Sequence, residues 1–176
     1  MEEYICKNSV GQKPITVRLL DFHLEWQCGE ASGSISYANI IFVQLTRTRS
    51  RFKIRIKSDY QGSIILTNRF YLTSSEFEDR SRQYNTFVRV LHFHLKNSVA
   101  TFSAGTARHE LILVTSIMVV ATFSLQWLII QLSALATPYY WFIGFNIILF
   151  AVAALLIFRK YPKPYLPESI PMECLP

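Results

Sequence analysis

Charge is missing from one long stretch of this chain. Between Glu110 and Arg159 there is no Asp, Glu, Lys or Arg. Cysteine is scarce as well: Cys6, Cys28 and Cys174 are widely spaced and odd in number, which excludes a disulfide framework or a paired zinc motif. The segment Met1-Glu2-Glu3-Tyr4-Ile5-Cys6-Lys7 is acidic and has no apolar centre, so it does not read as a secretory signal. No HExxH, CxxC, GxSxG or GxxxxGK[ST] occurs.

The charge-free run, Leu111 to Phe158, divides at Ala136-Thr137-Pro138-Tyr139-Tyr140. A hydrocarbon core of about 30 Å takes roughly 20 helical residues to cross. The run therefore predicts a transmembrane hairpin over residues 111–158, with helices at 111–135 and 139–158. Arg108, Arg159, Lys160 and Lys163 flank it and the loop carries no charge, so both termini are expected on the cytoplasmic side. Gln126 and Asn146 are costly against lipid and should face protein, and Gly144 and Ala151 mark a close-packing face beside them. That face serves either the hairpin itself or a partner, another copy or a larger membrane protein.

The 176 residues carry 18 Lys/Arg against 12 Asp/Glu, a net +6, and most of the excess precedes residue 110. Residues 1–14 read as a lead-in. Short β-type runs then follow at spacings of about 8–12 residues: Ile15 to Leu20, Phe22 to Cys28, Ser34 to Tyr37, Ile40 to Thr46, Arg51 to Ser58 and Ser63 to Thr67. That rhythm argues for a small antiparallel barrel or sandwich. Ser75 with Glu78 three residues on forms a capping box, and Tyr84, Phe87, Val88, Leu91 and Leu95 make one apolar stripe. A helix is expected from Glu76 to about Asn97, then a linker over 98–110.

Strands closed by one C-terminal amphipathic helix resemble pleckstrin-homology-like (PH-like) domains. Gly33, Ile35, Tyr37 and Ile40 match the G-x-I-x-(aromatic)-x-x-I stretch of bacterial PH-like domains over residues 15–97. The expected fold class is α+β: a small antiparallel PH-like β-barrel or sandwich capped by one C-terminal helix, then the two-helix transmembrane hairpin.

Arg47, Arg49, Arg51, Lys53, Arg55 and Lys57 occupy alternate positions. Period 2 sends Phe52, Ile54 and Ile56 to one face and the cations to the other. Such a face can be plain solvent surface, contact anionic lipid headgroups, or take an acidic protein or RNA. RNA is disfavoured, because single-strand binders interleave aromatics with the cations on the same face.

His23, His92, His94 and His109 are the candidates for metal or acid–base work. His92 and His94, two apart on a helix, diverge by about 200° and cannot share an ion. The residues support no catalytic site, no metal and no cofactor.

The tail, residues 159–176, holds five prolines between Tyr161 and Pro176, which exclude helix. Its apolar Tyr165, Leu166, Ile170 and Leu175 suggest that it packs back on the β-domain or a partner.

Phe77-Glu78-Asp79-Arg80-Ser81, Tyr84 and Phe87-Val88, with Tyr165, Pro167, Ile170-Pro171 and Leu175-Pro176, together resemble uncharacterised bacterial inner-membrane proteins. Those have a small PH-like β-domain followed by two transmembrane helices. The resemblance implies a bacterial inner (cytoplasmic) membrane address and no known activity. The expected function is a non-enzymatic, membrane-anchored accessory or interaction module. The alternative is a small structural subunit of a larger membrane enzyme or secretion complex. Expected partners are the lipid bilayer, anionic lipid headgroups, and a membrane protein or a second copy, with no nucleic acid.

Overall fold

The computed structural model describes residues 2–48, 51–105, 108–132, 146–148, 150–152, 155 and 161–176. The chain forms two compact units, Met1–Gly105 with Lys163–Pro176, and Thr106–Pro162.

In the first unit, alternating strands β1 (Glu2–Cys6), β2 (Ile15–Leu19), β3 (His23–Cys28) and β4 (Ala31–Ser36) make an antiparallel meander in chain order. Inward positions such as Tyr4, Val17, Leu24 and Ile35 are buried, while their neighbours reach the surface. Gly29 turns β3 into β4 with φ +63°, a left-handed value that glycine adopts without steric cost. A second sheet holds β5 (Ile40–Thr48), β6 (Arg51–Ser58) and β7 (Gly62–Thr67), mutually antiparallel.

A short hairpin follows, β8 (Arg69–Tyr71) with β9 (Phe77–Asp79), and then helix α1 (Ser81–His94). The expected stripe is its buried face: Tyr84, Phe87, Val88, Leu91 and the following Leu95 are fully enclosed. Burial of each such side chain contributes about 1.5–3 kcal/mol. After α1, β10 (Thr101–Ala104) pairs parallel with β5, and β11 (Lys163–Pro164) pairs antiparallel with β10. The proline-rich tail is therefore part of this unit, with Cys174 and Leu175 in its core.

In the second unit the described backbone is helical over α2 (Arg108–Leu132) and at 146–148 and 150–152.

Two expectations are corrected. Among the described residues there is no closed PH-like barrel: the strands lie in four-, five- and two-stranded sheets, and the unit is mainly β. Pairing to β10 and β11 extends the second sheet sideways and takes the place of closure. Among the described residues, no helix is long and apolar enough to cross a membrane. The transmembrane hairpin, the multi-pass inner-membrane placement and the cytoplasmic assignment of both termini therefore do not stand. Thr115, Ser116, Thr122, Ser124 and Gln126 carry hydroxyls or an amide along α2, and the Thr122 and Ser124 hydroxyls donate back to the Met118 and Val120 carbonyls at 2.7 and 2.9 Å. The second span, 139–158, lies mostly outside the described residues.

Candidate anion-binding face

On β6 the alternation is complete. Phe52, Ile54 and Ile56 are buried, Arg51, Lys53 and Arg55 are half-exposed and Lys57 is exposed. Same-face neighbours on a strand are about 6.6–6.8 Å apart, so these four cations form a row. Their cross-strand partners are neutral. On β5 they are Thr48, Thr46, Gln44 and Phe42, and on β7 Thr67 faces Lys53, Ile65 faces Arg55 and Ser63 faces Lys57. Among the described residues no carboxylate pairs with Arg51, Lys53, Arg55 or Lys57. The ion pairs lie elsewhere, at Arg18–Glu3, Arg80–Glu78 and Lys96–Glu168.

The structure separates Arg47 from this row. Its register partner is Phe52, an inward residue, so Arg47 lies on the opposite face of the sheet. There its guanidinium sits 5.5 Å from the Phe52 ring and donates to the Glu173 carbonyl at 3.2 Å. Arg49 is outside the described residues. Gln126 and the half-exposed Asn146 are helical, and Ala151 is helical and exposed. Gly144 is outside the described residues, so the packing face expected for these four is not assembled by described residues alone.

Arg51 is held in place. Its Nη2 donates to the Asn8 carbonyl at 3.1 Å, and its guanidinium lies 5.8 Å from the Tyr71 ring. Asn8 is fixed in turn, donating to the Ile65 carbonyl at 2.7 Å and accepting from the Thr67 hydroxyl at 3.0 Å. Sequence reasoning left Asn8 and Lys13 in a lead-in. No local signal could have placed them beside β6 and β7, because the contacts span more than forty residues of chain.

The histidines do not converge. His23 pairs with Glu25 at 3.3 Å, and His94 stacks on Tyr37 with ring centroids 5.0 Å apart. His92, one residue beside Leu91 and expected as partly exposed packing, is 2% exposed, and burial lowers its pKa from the ordinary 6.5. Among the described residues no three His, Cys, Asp or Glu side chains gather as a metal site. Glu78 pairs with Arg80 at 2.8 Å, which holds its carboxyl below the usual 4.5, and the Asp79 carboxylate accepts the Ser81 N–H at 3.1 Å at the start of α1.

No family model matches the sequence, and no curated protein matches it. Among solved structures, the chain is similar to one in the structure of the Spt16D Pob3N heterodimer. The identity is 14%, the match covers 61% of this chain and 54% of that one, and the TM-score is 0.36. The chain thus spans about half the length of that neighbour, and a likeness at this level carries no argument.

Proposed function

We propose that this chain is a non-enzymatic binding module whose outer β6 face takes an anionic surface, with lipid headgroups as the occupant. One observation carries the reading: four cations stand in a row on a sheet whose cross-strand neighbours are neutral, so their mutual repulsion is left for an external anion to offset. Each Lys or Arg near an anionic leaflet contributes on the order of 1 kcal/mol. Between the cations the face offers the exposed Thr48 and Ser63 hydroxyls, while Gln44, Thr46 and Thr67 are buried. Phe42, at the Lys57 end, is half-buried and a poor platform for stacked bases.

The test is flotation of the full chain with neutral and with anionic phosphatidylglycerol vesicles. Binding should need the anionic lipid and fall as salt rises. Lys53→Gln/Arg55→Gln/Lys57→Gln should weaken it about 100-fold, the equivalent of about 3 kcal/mol. Equal binding to both vesicle types, or no loss in the triple variant, would overturn the proposal. An acidic protein partner would then be the occupant to seek.

A further inference from the structure

Grooves formed by described residues of the first unit include two of contrasting charge. One, of about 390 Å³, crosses β2, β3 and β4. Its charges are balanced, since Arg18 stands opposite Glu25 and pairs with Glu3 at 3.2 Å. The other, of about 680 Å³, lies between the β1–β2 connection, the end of β3, and strands β6 and β7. That volume is in the range of small-molecule sites, about 300–1,000 Å³. Its walls include Lys13, Arg51 and Lys53 and no carboxylate, with Trp26, Ile15 and Ile64 as the apolar part.

We propose that this second groove binds a single phosphate ester group carried on an apolar or flat body, with Lys13, Arg51 and Lys53 as its cationic ligands. The inference rests on the reading of the β6 face as anion-binding, because Arg51 and Lys53 belong to both.

The cations are positioned ahead of any ligand. Arg51 is tethered through Asn8 as described, and its Nε is buried with no partner among the described residues. Lys13 lies with its stem over the Gly29 turn. A Cβ at Gly29 would overlap the Lys13 Cδ, so the missing side chain is what admits the lysine. The Cys28 thiol donates to the Lys13 carbonyl at 3.8 Å and lines the same groove. Lys13 from one sheet's connection and Lys53 from the other sheet thus border one space. Mixed cations around a small volume suit a phosphate better than a singly charged carboxylate.

A phosphate ester can arrive as a free metabolite or as a lipid headgroup, and the groove chemistry is the same for both. Cys28 supplies the reporter, since Cys6 and Cys174 are buried. The full chain is labelled with a maleimide in glycerol phosphate, in dispersed short-chain phosphatidic acid, or in sodium chloride of matched ionic strength. Saturable protection of Cys28, about tenfold at about ten times the dissociation constant, is the expected result. Lys13→Gln and Lys53→Gln should abolish it, and Arg82→Gln, exposed on α1 and in neither proposed site, should keep it. Protection by both esters supports a free phosphate ester, and protection by the lipid alone supports a headgroup. No protection up to about 10 mM, where even a millimolar site would be mostly filled, overturns the proposal. So does equal protection by chloride, or protection that survives Lys13→Gln. If vesicle flotation persists without protection, the groove falls and the surface reading stands. If esters protect without flotation, the surface reading falls and a soluble ester is the ligand.

Discussion

The Nε2 of His92 meets the Tyr165 hydroxyl at 2.7 Å, joining helix α1 to the tail across 73 residues. The other ring nitrogen, Nδ1, lies 2.7 Å from the Val88 carbonyl, which can only accept. The Nδ1 therefore carries the proton, and Nε2 accepts from the tyrosine. The Phe102 ring packs on both partners, with centroids 5.3 and 5.7 Å away. Tyr165→Phe keeps the ring stack and leaves the Nε2 of His92 without its donor. The expected loss is about 1–3 kcal/mol, read as a lower denaturant midpoint at unchanged slope.

The same pair makes stability depend on pH. Burial holds the folded pKa of His92 below the ordinary 6.5. In the window between the two values the unfolded chain binds the extra proton, so stability is full above about pH 6.5 and falls as pH drops toward the folded value. Glu78, whose folded pKa lies below 4.5, acts in a separate and more acidic window. Denaturation midpoints measured from pH 8 to 5 should fall for the wild-type chain. A His92→Gln variant, with no ring to titrate, should lose most of that slope.

Two buried tyrosines should respond in opposite directions to loss of their hydroxyls. Tyr4 donates to the Thr67 carbonyl at 2.6 Å inside the core. The Tyr84 hydroxyl is buried with no partner among the described residues. Tyr4→Phe should cost about 1–3 kcal/mol, while Tyr84→Phe should be neutral or stabilising, since it removes an unsatisfied polar group. Chemical denaturation of the two variants decides it.

The indole of Trp26 lies so close over Gly33 that a Cβ there would meet its Nε1 at 2.7 Å. Gly33→Ala should push the ring away and cost about 1–3 kcal/mol. Gly11 has open space around it, and Gly11→Ala should be neutral or gain about 0.4–1 kcal/mol by stiffening the unfolded chain. Tryptophan emission and thermal melts together report the difference.

Thiol chemistry should be ordered. Cys28 is half-exposed, Cys174 is 8% exposed and Cys6 is fully enclosed. Burial pushes the Cys6 thiol up to about 11 and raises Cys174 as well. Since the thiolate is the reactive species, peptide mapping after brief alkylation should find Cys28 modified first and Cys6 last.

Strands β2, β3 and β5 to β7 were legible because half-buried antiparallel strands write period 2 into the sequence; β6 falls on the expected residues, while β4 starts at Ala31, three residues before the expected Ser34. Other elements have no local signature. Strand β1 opens with Glu2 and Glu3 and offers only Tyr4 and Cys6 inward. The capping box at Ser75 and Glu78 gave way to a hairpin: Phe77–Asp79 pair with Arg69–Tyr71, and α1 begins five residues later than expected. Arg47 seemed continuous with the β6 cations, but antiparallel pairing of Thr48 with Arg51 breaks the alternation between the strands. His92 was misplaced because Phe102 and Tyr165, which enclose it, lie on segments that no helical periodicity connects to α1.

The first unit is interrupted, its closing strand arriving only at Lys163. On a ribosome, Tyr4 through Ala104 would emerge and pair, yet wait with the outer edge of β10 bare and His92 uncovered. Only synthesis through Leu175 seats the last core residues. A chain stalled or clipped after Gly105 would therefore display an open sheet edge and an unmatched imidazole. The fold in this way keeps its own record of whether translation ran to the tail.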